Sequence, residues 1–378
     1  MRIVLTGGGT GGHIFPLVAV AQNIKEKNSQ AEFLFLGPKG DLEKGIMNES
    51  QIEIRRVASG KARRYFSLLY FVDFFKFLFG IVQALWYLLW YMPDVVFSKG
   101  GHGSMPVVIS AWVYQIPILT HESDSVPGMA NRIIGKLSQR IAISYPRAKR
   151  YFVESKVLLT GNPIRKEISQ GNKELFFKKL GLTESKPVIF VLGGSQGAQG
   201  VNEAIAKSLP ELLKLAQVVH QTGKKNYKTA IHKAREVGIK EGHGGYFPFS
   251  FFELEDMKNA YASADIVISR AGANSISEIA ANKKPTILIP LPSAANNHQS
   301  MNAYALAEAG GAIVLEENNL GEHMLIQNVD KILNKENFAN KLVENISGFY
   351  HADAADKIAD GLLGIAKLES TSPIKFND

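Results

Sequence analysis

The chain has 378 residues, 46% apolar and 21% charged: an ordinary soluble composition, with length for two domains at the usual ~100–200 residues each. It contains no cysteine, which excludes disulfides, thiolate metal sites and a cysteine nucleophile and fits a reducing compartment. The net charge of +8 favours anionic partners: nucleotides, diphosphates, acidic lipid surfaces or nucleic acid. The first strand, Ile3–Thr6, starts at once, so no cleavable signal is expected before it. It runs into Gly7-Gly8-Gly9-Thr10-Gly11-Gly12-His13 and then an amphipathic run. Glycine at that density does not pack a core; it lets backbone amides approach a ligand, as in phosphate-holding loops. Gly7, Gly9 and Gly12 formally fit the dinucleotide fingerprint. The second strand, Phe33–Leu36, however, ends in Gly37-Pro38-Lys39-Gly40 with no acid before Asp41, which argues against a nicotinamide cofactor.

Tyr65–Met92 holds one acid, Asp73, and one base, Lys76, among Phe, Trp, Leu and Tyr. Asp73, Lys76, Gly80, Gln83 and Tyr87 step by three and four, one narrow stripe along a helix with apolar residues around the rest. A buried core helix and a membrane span both fit this composition. The preferred reading is a helix with one face on a sheet and one in a bilayer surface, with Arg55, Arg56, Lys61, Arg63 and Arg64 on anionic headgroups. A span fits poorly because the segment lies between strands of one sheet and carries Gly80 and Gln83.

The remaining strands of this half are Val95–Ser98, Ile118–His121, Ile141–Ser144 and Val157–Thr160. Those of the second half are Val188–Leu192, Val218–Gln221, Asp265–Ser269 and Thr286–Leu291, with weaker candidates at Tyr246–Phe249 and Ala312–Leu315. Strands alternating with helices predict parallel sheets, and the turn string Thr160-Gly161-Asn162-Pro163-Ile164 marks the break between halves. Ala352–Lys367 is amphipathic and fits either half.

Polar clusters gather at the strands' carboxyl ends, where open α/β sheets place ligands. His13 opens a helix, where the dipole favours a neutral imidazole able to take a proton from a hydroxyl, although a histidine there can also simply cap. Lys99-Gly100-Gly101-His102-Gly103-Ser104 is a further glycine-rich strand end. His121-Glu122-Ser123-Asp124 could bind a sugar or assist proton transfer; without HExxH spacing or a second dense cluster, metal is not expected. In the second half, Gly193-Gly194-Ser195-Gln196-Gly197-Ala198 is a second glycine loop, and Ser269–Glu278 runs from a strand end into a helix. The small residues there permit close approach to a diphosphate, and Glu278 could accept from both ribose hydroxyls. Asn296-Asn297-His298-Gln299 supplies the amide donors and acceptors a sugar needs. Together these residues describe a nucleotide-sugar site.

The ordered set Gly8–His13, His121-Glu122, Pro127–Arg132, Gly161–Arg165, Gly193–Ala198, Ser269–Ala273, Glu278 and Asn297–Gln299 resembles one bacterial family over nearly the whole chain. Its members add N-acetylglucosamine to lipid-linked muramyl-pentapeptide, the last cytoplasmic step of peptidoglycan precursor synthesis. The resemblance implies an α/β chain of GT-B type, with two Rossmann-like doubly wound parallel-sheet domains facing across a cleft. The expected division is 1–163 for the lipid acceptor and membrane, with 345–378 packing back on it, and 164–344 for the UDP-GlcNAc donor. The implied reaction inverts the anomeric centre without cofactor, metal or nucleic acid, at the cytoplasmic face of the membrane. A diacylglycerol glycosyltransferase or a non-catalytic UDP-sugar-binding protein of the same fold are the alternatives.

Carried over by position, the resemblance gives Arg165 and Ser195 to the UDP and the Leu254 backbone to uracil. It gives Ala273, Asn274, Ser275, Ile276, Ser277 and Glu278 to the diphosphate and ribose, and His298 and Gln299 to the sugar side. Thr10, Gly11 and Gly12 would close over the diphosphate or GlcNAc, with His13 the candidate base and Glu122 the other candidate catalytic group. Asp124 stands where many members have a sugar-contacting asparagine, and Glu253 where a phenylalanine is usual. Asp124 can accept from hydroxyls but cannot donate to an acetyl carbonyl.

Overall fold

The computed structural model describes residues 1–8, 11–40, 47, 50–60, 69–194, 197–242, 244–294 and 297–370. It divides into a first unit, Met1–Arg165 with the chain from His351 onward, and a second, Lys166–Tyr350.

The first unit is built on seven parallel strands: β1 (Arg2–Thr6), β2 (Glu32–Gly37), β3 (Glu53–Arg56), β4 (Val95–Ser98), β5 (Ile118–Glu122), β6 (Arg140–Ile143) and β7 (Val157–Leu159). Their order is β3-β2-β1-β4-β5-β6-β7, and every pairing is parallel. Alternation along β1 sends Ile3 and Leu5 to one core and Val4 to the other. The first core is covered by the Gly11–Lys27 helix and the Ala354–Ser370 helix, whose Ile358, Ala359 and Leu362 are buried against it. Lys27 Nζ ties the two helices through Asp356 at 2.7 Å and Asp360 at 2.5 Å. The second core lies under the Leu69–Tyr91 and Met105–Val113 helices.

β3 has no counterpart among the expected strands. Its sequence, Glu-Ile-Arg-Arg, lacks the apolar run of a buried strand because it is a charged edge. Arg55 pairs with Glu53 at 2.6 Å, and Arg56 donates to the carbonyls of Pro38 (2.7 Å) and Gly40 (3.1 Å). These two arginines are engaged on their own sheet edge, with Arg55 still exposed. Lys61, Arg63 and Arg64 lie outside the described residues.

The second unit repeats the plan with β8 (Val188–Leu192), β9 (Gln217–Gln221), β10 (Tyr246–Phe249), β11 (Ile266–Ser269), β12 (Thr286–Leu288) and β13 (Ile313–Val314). The order is β10-β9-β8-β11-β12-β13, again all parallel. β12 stops three residues before the expected Leu291. Pro290 and Pro292 have no N–H to give, and the carbonyls of Ile289 and Pro290 turn to the Arg270 guanidinium instead.

Candidate functional site

In each sheet the order reverses at one place, between β1 and β4 and between β8 and β11, and the glycine loops leave from those strands.

In the first unit Gly7 and Gly8 follow β1, and His13 sits in the first turn of the Gly11–Lys27 helix. Beside them β4 leads into Lys99, Gly100 and Gly101. Both glycines have φ near +80°, a region that side chains avoid. A Cβ on Gly100 would fall 1.9 Å from Asn131 Oδ1, and one on Gly101 would stand 3.4 Å from the His13 ring. Gly101 N donates to Asn131 Oδ1 (2.9 Å), while Asn131 Nδ2 donates to Glu122 Oε2 (2.8 Å). The other oxygen, Glu122 Oε1, accepts from Asp124 N at 2.8 Å. An unbroken path thus leads from Glu122 through Asn131 to the turn that floors His13.

The ground beneath is charged and closed to water. Glu122 is 2% exposed, and its carboxyl is pushed up to about 7, first by burial and then by Asp124. Lys99 is 1% exposed; burial lowers its pKa while Glu122 and Asp124 oppose that shift. His121 is held well below the usual imidazole range by burial and by Lys99. Its Nε2 lies 3.0 Å from the Gly161 carbonyl, which only accepts, so the ring is neutral with its proton on Nε2. Glu122 is accordingly no open base: both its oxygens already hold N–H groups. Asp124, half-buried, is the more accessible carboxylate.

In the second unit β8 leads to Gly193 and Gly194, and Gly197 precedes the Gln199–Leu215 helix. A Cβ on Gly197 would fall 2.7 Å from the Thr222 carbonyl, so that approach requires glycine. β11 leads through Arg270 to the Ala273–Ala281 helix, whose N-cap Gly272 offers no side-chain cap. The first-turn amides of such a helix, with its dipole, suit an anion. Glu278 is half-buried, and its Oε2 accepts from Tyr261 Oη at 3.1 Å. Gln299 Oε1 accepts from Leu291 N (3.1 Å). Beneath lies a neutral network. His220 Nε2 meets Asn202 Oδ1 (3.0 Å), its Nδ1 meets Tyr246 Oη (3.1 Å), and Asn202 Nδ2 donates to the Thr222 carbonyl (2.9 Å). Burial pushes His220 down to about 3.

Residues 3–143 match the glycosyltransferase family 28 N-terminal domain, and residues 188–358 match the glycosyltransferase family 28 C-terminal domain. The chain is 39% identical over 358 residues to the UDP-N-acetylglucosamine–N-acetylmuramyl-(pentapeptide) pyrophosphoryl-undecaprenol N-acetylglucosamine transferase of Lachnospira eligens, covering 94% of this chain and 97% of that one. It is 36% identical over 372 residues to the transferase of the same name from Thermodesulfovibrio yellowstonii, covering 95% and 97%. The chain belongs to this family of N-acetylglucosaminyltransferases. The fold agrees: the crystal structure of Acinetobacter baumannii MurG superposes with a TM-score of 0.72 at 23% identity, over 96% of this chain and 99% of that one. The two parallel-sheet units are those of a GT-B transferase.

Set against this family, the expected site residues fall into distinct places. His13, Gly12, Glu122 and Asp124 belong to the first unit, at or beside the β1/β4 reversal. Thr10 and Ser195 lie outside the described residues, and of Gly11 only its place at the helix start is described. Within the Ala273–Glu278 run, Ala273, Ile276 and Ser277 point inward, and Ser277 Oγ is spent on the Ala273 carbonyl at 2.9 Å. Only their backbones can face a ligand, whereas Asn274, Ser275 and Glu278 are half-buried at the surface. Leu254 opens the Leu254–Ser263 helix, with exposed Glu253 as N-cap. Phe252 is buried among Phe176, Phe190 and Phe249, so it is core. His298 and Gln299 open the His298–Glu308 helix. Arg165 falls in the first unit, its guanidinium 4.2 Å from the Phe15 ring centroid. Asn131, quoted above only within Pro127–Arg132, and Tyr261 brace Gly101 and Glu278, roles the sequence hides because these partners lie 30 and 17 residues away.

Proposed function

We propose that the chain moves N-acetylglucosamine from UDP-GlcNAc to the 4-hydroxyl of the muramyl sugar in undecaprenyl-pyrophosphoryl-MurNAc-pentapeptide. The observation that carries this is near-full-length identity of 35–39% to transferases named for this reaction. In this reading the acceptor oxygen bonds to the anomeric carbon as the bond to UDP breaks, with inversion. The hydroxyl proton passes to His13, and UDP departs with the bonding electron pair. The second unit holds the donor. First-turn amides of the Ala273–Ala281 helix face the diphosphate, where preorganised donors stabilise developing charge. Glu278, fixed by Tyr261, takes the ribose hydroxyls, the Leu254 backbone takes uracil, and Gln299 takes the sugar. Glu122 positions, and does not itself take the proton.

The first unit also gives the lipid its surface. The Leu69–Tyr91 helix turns most of its small and polar stripe inward, Gln83 and Tyr87 half-buried and Lys76 alone exposed. Asp73, Gly80, Ala84 and Leu88 are buried, and Gln83 Oε1 accepts from Ala58 N at 2.9 Å. Gly80 is needed there, since a Cβ would fall 1.8 Å from the Ala58 carbonyl. The opposite face leaves Phe71, Phe75, Phe79, Trp86 and Trp90 exposed, Trp90 to 74%, and Trp112 extends it on the neighbouring helix. Such an inverted helix supports docking in the plane of a bilayer. The same unit also carries a basic stretch, Met129–Lys156, with seven basic residues against one acid, Glu154, which supports attraction to anionic headgroups.

The test is incubation of the purified chain with labelled UDP-GlcNAc and either the muramyl-pentapeptide lipid or diacylglycerol, then chromatography of the lipid fraction. Label in the muramyl lipid alone is expected. Label in diacylglycerol, or UDP-GlcNAc binding with no transfer, contradicts the reading.

A further inference from the structure

Lys99 is a cost that the fold itself does not require. It follows Ser98, the last residue of β4, and is 1% exposed, where an unpaired ammonium would be strongly destabilising. Its Nζ donates to Ser123 Oγ at 2.9 Å. The titratable groups around it come from the ends of β5 and β6: His121, Glu122, Asp124 and Tyr145. The helix Met129–Leu137 brings Asn131 to the same cluster.

We infer that Lys99 is a positioning residue for the transfer: its buried ammonium is the counter-charge that keeps Glu122 a double acceptor beside Asp124, and so fixes the Gly101 turn against His13. The inference rests on the transferase reading above and extends it. Both oxygens of Glu122 face N–H donors, Asp124 N and Asn131 Nδ2, each at 2.8 Å. A proton on either oxygen would set donor against donor and release one of them. Burial and the Asp124 charge both drive a proton onto Glu122; the Asp124 N–H, the Lys99 ammonium, held beside Glu122 by Ser123 Oγ, and the Asn131 amide oppose them, and of these Lys99 alone brings a charge. Without the cation, Asn131 loses its anchor, the Gly101 amide loses Asn131, and the positive-φ Gly101 beside the His13 ring is freed. Asp124 acts in the opposite direction, so removing its charge compensates for removing that of Lys99.

The test compares wild type, Lys99→Met, Asp124→Asn and the double variant. Each is assayed for transfer to the muramyl lipid across pH, for UDP affinity by titration and for melting temperature. In Lys99→Met, kcat at pH 7 is expected to fall about tenfold or more, and the acid limb of its pH profile to move up by about one unit, with UDP affinity unchanged. The double variant should regain at least about fivefold over Lys99→Met, because charge coupling between neighbours is non-additive. Asp124→Asn alone should move the acid limb down, which tests the coupling even if Lys99→Met does not fold. A wild-type kcat and profile in Lys99→Met overturns the inference, as does an unshifted limb in Asp124→Asn or a double variant no better than Lys99→Met. Absence of transfer by the wild type refutes the functional reading itself, whereas an active wild type indifferent to these substitutions refutes only the role of Lys99.

Discussion

The two units share a strand order and a glycine loop at the same strand, yet the ground beneath the loops differs in kind. Under the first lie Lys99, His121 and Glu122, an ammonium, an imidazole and a carboxyl, all buried. Under the second lie His220, Asn202, Thr222 and Tyr246, joined as neutral donors and acceptors, while buried Arg270 beside them is matched by Glu317. Topology thus supplies a place for a ligand, while the side chains below decide what that place can do. A fixed neutral floor suits a donor whose charge is met by backbone amides. Buried charge suits a unit whose proposed work is proton transfer, with Glu122 holding the turn beside His13 and not itself taking the proton. The apolar outward helix adds a second asymmetry, since the second unit shows nothing like it among the described residues.

The sharpest way to break this comparison is at His13. His13→Ala should lower kcat by ~10²–10⁴-fold, the usual worth of a general base, measured by transfer to the muramyl lipid. A kcat near wild type would move proton transfer elsewhere, with half-buried Asp124 next in line. Next in size is the membrane asymmetry. Phe75→Ser with Trp86→Ser should weaken binding to anionic vesicles by ~10²-fold, as each aromatic contributes about 1.5–3 kcal/mol when buried. Co-sedimentation checks this, and the melting temperature should hold because both residues are solvent-facing. Unfolding with unchanged vesicle binding would make the helix a core element.

The smallest effect is on stability against pH. His220 has a folded pKa far below its unfolded value, so the unfolded state binds the extra proton between about pH 3 and 6.5. Its contribution is present above that window and declines by ~1.4 kcal/mol per unit as pH falls. His121 acts in the same direction in the first unit. Glu122 acts oppositely, because its folded pKa is raised: its contribution is full below about 4.5 and lost as pH rises through about 7. Between pH 6.5 and 5, protection of β9 amides against hydrogen exchange should therefore fall more than that of β5 amides. Equal losses would remove the distinction.

Much of this was legible from sequence because parallel strands buried on both faces write continuous apolar runs, as in Val95–Ser98 and Val188–Leu192. β3 was not, since an edge strand with two arginines has no such run. The site was legible as clusters at strand ends but not as contacts. His121-Glu122-Ser123-Asp124 reads as one polar string, and nothing in it says that Glu122 is sealed while Asp124 is reachable. That follows from Asn131, nine residues on and across a loop, closing over the carboxylate. Arg270 reads as part of a ligand loop, yet it ties the carbonyls of Ile289 and Pro290 and pairs with Glu317.

The central claim is a division of labour: the second unit holds the nucleotide and the first moves the proton. Titrating UDP onto His13→Ala and Glu278→Ala of the full chain tests it most directly. Glu278→Ala should weaken UDP by ~10–100-fold, the loss of hydrogen bonds to a charged acceptor worth about 1.5–3 kcal/mol. His13→Ala should bind UDP within about twofold of wild type while its kcat collapses. Equal weakening in both variants, or wild-type affinity in Glu278→Ala, would contradict the account.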